Sequence, residues 1–319
     1  MLTQILLLLI GFLLLIKGAG WLVDGASALA KKYQVSDLTI GLTVVAFGTS
    51  APELAVNAFA AYFNQPEIVF GNVIGSNNFN LFVVLGIVGL IFPLSVKFNT
   101  VWREIPFSFL ALVILFVLAN NIYLSSDTIL SRMDGIILLM LFGVFIYYMF
   151  RQLKRDRINI YAEQGQISTL QLSIYIILGL TFLIMGGIFV VNNASKLAES
   201  FGVSEKIIGL TVVAAGTSLP ELTTSVVAAI KKNTDIAVGN IIGSNIFNIL
   251  LILSVSSFIR PLPYNPKFNL DLLLLMGGTF FLYIAMFTGV RKKLDRWEAL
   301  ILLLAFTAYT FFLIMQEIC

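Results

Sequence analysis

Charged side chains are scarce in this sequence. Asp, Glu, Lys and Arg make up 12% of its 319 residues, whereas a soluble globular domain carries about 25%. Hydrophobic residues make up 59%, and apolar runs of about 20 residues recur along the whole chain, with turn residues between them. These runs are continuous rather than alternating, so of the two structures that a bilayer permits, helices and closed barrels, we predict helices. The expected fold class is an all-α integral membrane protein.

Histidine is absent, and the single cysteine is the last residue, Cys319. One cysteine cannot form a disulfide within the chain. Without histidine, the chain lacks the commonest transition-metal ligand and the usual proton carrier near neutral pH. Catalytic-serine and metal-hydrolase motifs are missing as well, so we do not expect an enzyme.

The chain begins with an apolar run that imitates a signal peptide. The run has no basic start and no small-residue cleavage site before Lys17, so we predict that it is the first membrane helix. Ten spans are predicted in all, and the first and sixth are longer than a bilayer requires and should tilt. With ends good to a few residues, the spans are roughly 2–30, 37–62, 68–92, 103–120, 127–151, 170–199, 205–230, 236–259, 270–289 and 296–316.

Basic residues are distributed unevenly between the two sides of the predicted membrane protein. Of the 20 Lys and Arg residues, fourteen fall on one side and five on the other, while Lys17 lies within the first span. Loops that are rich in Lys and Arg face the cytoplasm. We therefore expect loop 152–169 to be cytoplasmic and both termini to be extracellular, in a multi-pass protein of the plasma membrane.

The sequence repeats itself at an offset of 168 residues. Ser36–Leu54 matches Ser204–Leu222 at 14 of 19 positions, and Gly71–Leu85 matches Gly239–Leu253 at 9 of 15. Five spans fit into one offset, and an odd number of crossings inverts the second copy in the membrane; secondary transporters are often built this way. The predicted organisation is a first five-helix repeat at 1–151 with motifs at 36–86, a loop at 152–169, and a second repeat at 170–319 with motifs at 204–254.

The densest motif of the repeat is Gly48-Thr49-Ser50-Ala51-Pro52-Glu53, which returns as Gly216-Thr217-Ser218-Leu219-Pro220-Glu221. Each copy lies in an apolar run, and a charged side chain at the bilayer centre costs about 2.5–3.5 kcal/mol on insertion scales. Two carboxylates at matching places indicate a function, and we predict that Glu53 and Glu221 face each other and hold cations. A kinked packing helix with a glutamate in some polar contact is the alternative reading.

The prolines of this motif should break both helices. A proline lacks a backbone donor and clashes with the carbonyl four residues back. Carbonyls around Ala46–Gly48 and Ala214–Gly216 would then lose their helical partners and become possible oxygen ligands. Glu53 and Glu221 would lie in the first turn of the resumed helix, where the helix dipole favours negative charge.

A second repeated element, at 71–80 and 239–248, is rich in glycine, serine and asparagine. Steps of four residues place polar side chains on one helical face in each copy: Asn72, Ser76 and Asn80 in the first, Asn240, Ser244 and Asn248 in the second. We predict that Asn80 and Asn248, which end these faces, are cation ligands. Small and amide residues also serve packing between membrane helices, and both roles stay open for Asn72, Asn77, Asn240 and Asn245.

The polar groups of these motifs are carboxylates, amide oxygens, hydroxyls and backbone carbonyls, a set suited to calcium or an alkali ion rather than to zinc or copper. The paired Gly-Thr-Ser-x-Pro-Glu and Gly-Asn-x-Ile-Gly-Ser-Asn segments resemble the two alpha repeats of the cation/calcium exchanger superfamily, and most of all its prokaryotic sodium/calcium exchanger branch. The resemblance covers all ten spans and is densest in spans 2, 3, 7 and 8.

This resemblance implies sodium-driven exchange of calcium by alternating access, with helices 2, 3, 7 and 8 broken around a midplane cation site and spans 1 and 6 sliding as a pair. Calcium and sodium would be the transported ions of a monomer in the lipid bilayer, without a prosthetic group or nucleic acid. The calcium ligands that it implies are Glu53, Glu221, Thr49 and Thr217. The flanking sodium sites would use Ala46, Ser50 and Ser76 with Glu53, and Ala214, Ser218 and Ser244 with Glu221, while Asn80 and Asn248 take the middle position.

Two departures from the relatives bear on mechanism. Some relatives carry aspartate at the middle position, whereas this chain has asparagine at both Asn80 and Asn248, so we expect two carboxylates in the site. A proton-coupled branch carries an extra acid where this chain has Ser76 and Ser244, which favours sodium over protons. A proton/calcium or potassium-assisted exchanger is the alternative within this class. A channel, or an intramembrane enzyme that uses the glutamates as acid and base, are the alternatives from other classes.

The first span also carries two charged residues, Lys17 and Asp24. They are seven positions apart on one face, about 10 Å along the helix axis, which is too far for a direct ion pair. We expect Asp24 to lie near the cytoplasmic interface and leave the role of Lys17 open.

Overall fold

A computed structural model describes residues 2–96, 100–121, 128–155, 168–201, 214–288 and 292–318. The protein is almost entirely helical in these ranges, which confirms the predicted all-α class. Its helices, in chain order, are α1 (Leu2–Lys32), α2 (Asp37–Thr49), α3 (Ala51–Tyr62), α4 (Pro66–Ile91), α5 (Thr100–Ala119), α6 (Arg132–Arg155), α7 (Thr169–Ser200), α8 (Ala214–Thr217), α9 (Leu219–Ile230), α10 (Thr234–Ile259), α11 (Pro266–Ala285) and α12 (Arg296–Ile318).

Within the described ranges, eight helices are long and apolar enough to cross a membrane, and the bent pair α2 and α3 makes nine when it is counted as one span. The helix ends agree with the predicted spans to within a few residues. The predicted span 205–230 falls partly on residues 202–213, which lie outside the described ranges, and its remainder forms α8 and α9. The count of ten therefore stays a prediction, while a multi-pass membrane protein is established.

In the described part of the chain, four two-residue strands lie between helices. They are β1 (Leu94–Ser95), β2 (Ile129–Leu130), β3 (Leu262–Pro263) and β4 (Lys293–Leu294). β1 pairs with β4 and β2 pairs with β3, both antiparallel. Since each pair joins residues that are more than a hundred positions apart, these short ladders fix loops from distant parts of the chain.

The chain forms two compact units, and each draws on both halves of the sequence. The first unit is Met1–Ala55 with Gly143–Ser244, and the second is Val56–Phe142 with Asn245–Cys319. The predicted division at 152–169 separates two segments of similar sequence, whereas these units are defined by packing. The units therefore do not test that division.

In the first unit, α1 packs along α7 through glycine. A Cβ atom at Gly18 would lie 2.7 Å from the carbonyl oxygen of Gly179, and one at Gly186 would lie 2.8 Å from that of Gly11. Backbones that approach this closely exclude any side chain, which is the way small residues bring membrane helices together. The two helices are 31 and 32 residues long, as predicted for the first and sixth spans.

The first unit also gives Asp24 a partner. Lys231, which follows α9, donates to the carboxylate of Asp24 at 2.6 Å and to the carbonyl of Gly20 at 3.0 Å. The next turn adds Asn233, whose amide donates to Ser27 Oγ at 2.9 Å and to Asp37 at 3.0 Å. Polar contacts thus join α1 to the turn between α9 and α10. Lys17 is exposed on α1.

In the second unit, the C-terminal half of α4 packs against α12, and α11 packs against α5 and α4. Phe79 and Phe82 of α4 both contact the ring of Phe306 on α12. Few residues of α12 are fully buried, and its exposed apolar side chains, among them Leu304 and Phe311, form a surface suited to lipid.

Candidate cation site

Both copies of the Gly-Thr-Ser-x-Pro-Glu motif interrupt a helix at the serine. Ser50 has φ −83° and ψ 4°, and Ser218 has φ −88° and ψ 4°. The helix axis bends by 46° between α2 and α3. The breaks predicted from Pro52 and Pro220 are therefore confirmed, and each glutamate lies in the first turn of the helix that follows.

The predicted loss of helical partners was wrong at one carbonyl, that of Ala46. The backbone N–H of Ser50 donates to the carbonyl of Ala46 at 3.0 Å, so this carbonyl keeps its helical partner. Pro52 removes the donor that would pair with the carbonyl of Gly48, four residues back, and not the donor that pairs with the carbonyl of Ala46. Ala46 itself is completely buried.

Helices α4 and α10, the predicted broken spans 3 and 8, are continuous. Each contains a wider π-helical segment instead, Phe79–Val84 in α4 and Asn248–Ile252 in α10. A π segment inserts one extra residue per turn and often marks a functional site in a helix. Here the segments hold Asn80 and begin at Asn248, so the prediction of a break was wrong, but the irregular backbone lies at the predicted ligands.

The first unit contains a buried hydrogen-bonded group that we call the carboxylate cluster: Thr49, Ser50, Glu221, Asn240 and Ser244. Ser50 Oγ donates to Glu221 Oε1 at 3.1 Å, and Ser244 Oγ donates to the same atom at 3.4 Å. Thr49 Oγ1 donates to Asn240 Oδ1 at 2.9 Å. All five side chains are at most 3% exposed, so the motif of the first repeat meets the motif of the second in the interior of the first unit.

The electrostatics of this cluster centre on Glu221. Its side chain is 0% exposed, and its second oxygen, Oε2, receives no hydrogen bond from the described part of the chain. A buried carboxylate without compensation is costly, and such groups are normally paired or bound to a metal. The surrounding groups are hydroxyl and amide oxygens, which are the ligands that calcium and alkali ions take.

The second unit contains a different group, which we call the amide cluster: Asn77, Asn80, Asn245 and Asn248. The Nδ2 atoms of Asn77 and Asn245 each donate to the other residue's backbone carbonyl, at 3.3 and 3.4 Å. Asn248 Nδ2 donates to Asn77 Oδ1 at 3.0 Å, and Asn80 Nδ2 donates to Asn245 Oδ1 at 3.3 Å. All four residues are buried.

Three of the remaining predicted ligands are also buried. Glu53 is 1% exposed, and Ser76 and Ser218 are buried. Ser76 Oγ donates to Asn72 Oδ1 at 3.1 Å. Thr217 is half-buried, and Ala214 begins α8.

Sequence reasoning missed Ser225, which lies beside the carboxylate cluster. Asn240, for which packing and ligation stayed open, donates its Nδ2 to the backbone carbonyl of Glu221 at 3.3 Å and to Ser225 Oγ at 3.0 Å. Ser225 lies four residues after Glu221, hence on the same helical face. That spacing was a usable signal, because it predicts a hydroxyl next to the carboxylate.

Comparison with known proteins agrees with this chemistry. The family model described as sodium/calcium exchanger protein matches residues 3–151 and 172–315. The chain belongs to this family. It is therefore a transporter that exchanges cations including calcium, and its family transports sodium and calcium ions.

Individual relatives cover nearly the whole exchanger. It is 37% identical to the putative antiporter CaxA of Alkalimonas amylolytica, over 98% of this chain and 99% of the relative. It is 30% identical to the sodium/calcium exchanger MaX1 of Methanosarcina acetivorans, over 96% and 97%. A solved structure of the sodium-calcium exchanger NCX_Mj superposes with a TM-score of 0.82 and 32% identity, over 96% of this chain and 97% of the other.

Proposed function

We propose that this exchanger moves calcium across the membrane in exchange for sodium by alternating access. The observation that carries the proposal is Glu221, a fully buried carboxylate whose Oε2 receives no hydrogen bond within the described ranges. A charge at membrane depth is costly to carry uncompensated. The protein would therefore change between its inward-open and outward-open forms only with cations bound, and this condition couples the two fluxes.

The proposed ligands are those that the family resemblance implies. Calcium would bind to Glu53, Glu221, Thr49 and Thr217, and sodium to Ala46, Ser50, Ser76, Ala214, Ser218 and Ser244 with the two glutamates. Asn80 and Asn248 would supply amide oxygens at the middle position. Because one chain supplies the complete set, we propose that the monomer transports.

We further propose that ten spans form two inverted five-helix repeats. Two sets of contacts support this arrangement. In the amide cluster, Asn77 and Asn245 exchange equivalent hydrogen bonds and are 168 positions apart. In the first unit, the approach of Gly11 to Gly186 is repeated by Gly18 and Gly179, and an offset of 168 converts one pair into the other. Reciprocal contacts of this kind are what a two-fold axis produces.

Sodium coupling predicts the outcome of a flux measurement. Purified protein in proteoliposomes that are loaded with sodium should accumulate calcium-45 when they are diluted into sodium-free buffer. Vesicles that are loaded with potassium, or that carry only a pH gradient, should take up no more calcium-45 than vesicles without protein. Uptake that the pH gradient drives without sodium would overturn the sodium proposal in favour of a proton/calcium exchanger, and uptake that also requires potassium would favour the potassium-assisted form.

The proposed orientation has a separate test. Both termini should be extracellular and loop 152–169 cytoplasmic, so a membrane-impermeant maleimide should label the natural Cys319 in intact cells. After Cys319→Ser removes that thiol, a cysteine introduced by Ser168→Cys, at an exposed position, should react only once the membrane is permeabilised. Labelling of Ser168→Cys in intact cells would reverse the proposed orientation, and the Cys319→Ser protein alone gives the background.

A further inference from the structure

The amide cluster contains two asparagines that are not among the proposed cation ligands. Asn77 and Asn245 are buried in α4 and α10, and each holds the other's backbone through its Nδ2 atom. This use of the two nitrogen atoms leaves the two Oδ1 atoms as acceptors. Both side chains therefore have a defined orientation, with nitrogen toward the partner's backbone and oxygen toward a second asparagine.

That second asparagine is in each case a proposed ligand. Asn77 Oδ1 accepts from Asn248 Nδ2 at 3.0 Å, and Asn245 Oδ1 accepts from Asn80 Nδ2 at 3.3 Å. Because their nitrogen atoms are bound in this way, the Oδ1 atoms of Asn80 and Asn248 point away from Asn245 and Asn77. Their Oδ1 atoms are buried and accept no hydrogen bond within the described part of the protein.

The orientation of these amides matters because only one end of an amide can bind a cation. The oxygen has lone pairs, whereas the NH₂ group is a pure donor. The terminal torsion of asparagine is broad and roughly two-fold, so the two ends can exchange places without any change in shape. A hydrogen-bond acceptor next to the amide binds the NH₂ group and so fixes which end of the amide is left for a cation.

We propose that Asn77 and Asn245 are positioning residues that hold the amides of Asn248 and Asn80 with Oδ1 available to a transported cation. The inference rests on the proposed function, in which Asn80 and Asn248 are ligands. It assigns Asn245 to Asn80 and Asn77 to Asn248, so the two positions are not interchangeable.

The test uses aspartate at the ligand position, because the two oxygens of a carboxylate are equivalent and need no orientation. Asn245→Ala alone should weaken the apparent calcium affinity about 10-fold, the lower end of what a metal site loses when the hydrogen-bond partner of a ligand is removed. In an Asn80→Asp background, the same Asn245→Ala change should alter calcium affinity less than about twofold. Asn77→Ala should behave in the same way with Asn248→Asp.

Mismatched pairs are the control. Asn245→Ala should keep its full effect in an Asn248→Asp background, and Asn77→Ala should keep its effect in an Asn80→Asp background, because neither pair is hydrogen-bonded in the cluster. A purely structural role for Asn77 and Asn245 would give equal effects in matched and mismatched backgrounds, and that result would overturn the inference. If the alanine variants do not fold, Asn77→Ser and Asn245→Ser replace them in the same four combinations. The side chain of serine ends one bond nearer the backbone than that of asparagine.

Calcium affinity should be measured by titration of the purified full-length protein, with the thermal unfolding midpoint recorded for each variant. Wild-type protein that neither binds calcium nor exchanges it for sodium would refute the proposed function itself. Wild-type protein that exchanges calcium, together with equal effects in matched and mismatched pairs, would refute only the positioning role. The two failures are therefore distinguishable.

Discussion

Glu221→Gln and Glu53→Gln are each expected to abolish calcium exchange while leaving the fold intact. Glutamine keeps the shape of the side chain, and its oxygen can still accept from Ser50 and Ser244, which donate to Glu221 Oε1. What is lost is one of the two negative charges that would compensate calcium. Since loss of a partner outside the ligand shell already costs a metal site 10–100-fold, loss of a charged ligand should lower calcium affinity by more than about 100-fold.

This prediction is checked by sodium-driven calcium-45 uptake, with thermal unfolding and size-exclusion chromatography as controls for folding. Glu67→Gln is the matched control, because Glu67 is an exposed carboxylate whose contact in the second unit is with Asn265 at 3.2 Å. Its uptake should equal that of the wild type. Transport retained by both Glu53→Gln and Glu221→Gln would refute the assignment of the site.

A single methyl group at Gly18 is expected to disrupt the contact between α1 and α7. A Cβ atom there would lie 2.7 Å from the carbonyl oxygen of Gly179 and 2.8 Å from the backbone nitrogen of Leu183. Backbone atoms cannot rotate away as a side chain can, so the two long helices must separate. Overpacking of this kind costs about 1–3 kcal/mol, and the separation should also reduce transport if these helices slide as a pair.

Gly20→Ala, on the same helix, is the control. A Cβ atom at Gly20 would have only Lys231 Nζ within 4 Å, at 3.9 Å, and alanine favours a helix by about 0.8–1 kcal/mol over glycine. Gly18→Ala should therefore lower the unfolding temperature in detergent by several degrees, while Gly20→Ala leaves it unchanged or raises it. Equal unfolding temperatures for the two variants would contradict the close packing at Gly18.

Several features of this protein follow from the sequence alone because they depend on neighbouring residues. Apolar runs predict the membrane helices, and the turn residues between the runs predict the helix ends, which agree with the structure to within a few residues. Pro52 and Pro220 act on their own helices, so the breaks at Ser50 and Ser218 were predictable from local chemistry. The buried positions of Glu53 and Glu221 follow from their place in an apolar segment.

Partner choice was decided by the tertiary structure. The first span offered Asp24 no partner within reach, and its partner is Lys231, 207 positions away. The motifs marked Thr49 and Asn240 as polar, but only the fold pairs them across 191 positions. The orientation of the amides in Asn77 and Asn245 likewise depends on a backbone carbonyl 168 positions away.

The irregular backbone at the site also depends partly on the local sequence and partly on the tertiary structure. The family resemblance implied a break in the third and eighth spans, and the structure instead has π-helical segments at Phe79–Val84 and Asn248–Ile252. Neither segment contains a proline, so no local steric conflict forces the helix to open. Composition and local sterics thus determine where this chain crosses the membrane and where its helices break. Hydrogen bonds between residues far apart in sequence determine which polar atoms meet, because their energy is gained only when the helices that carry them pack together.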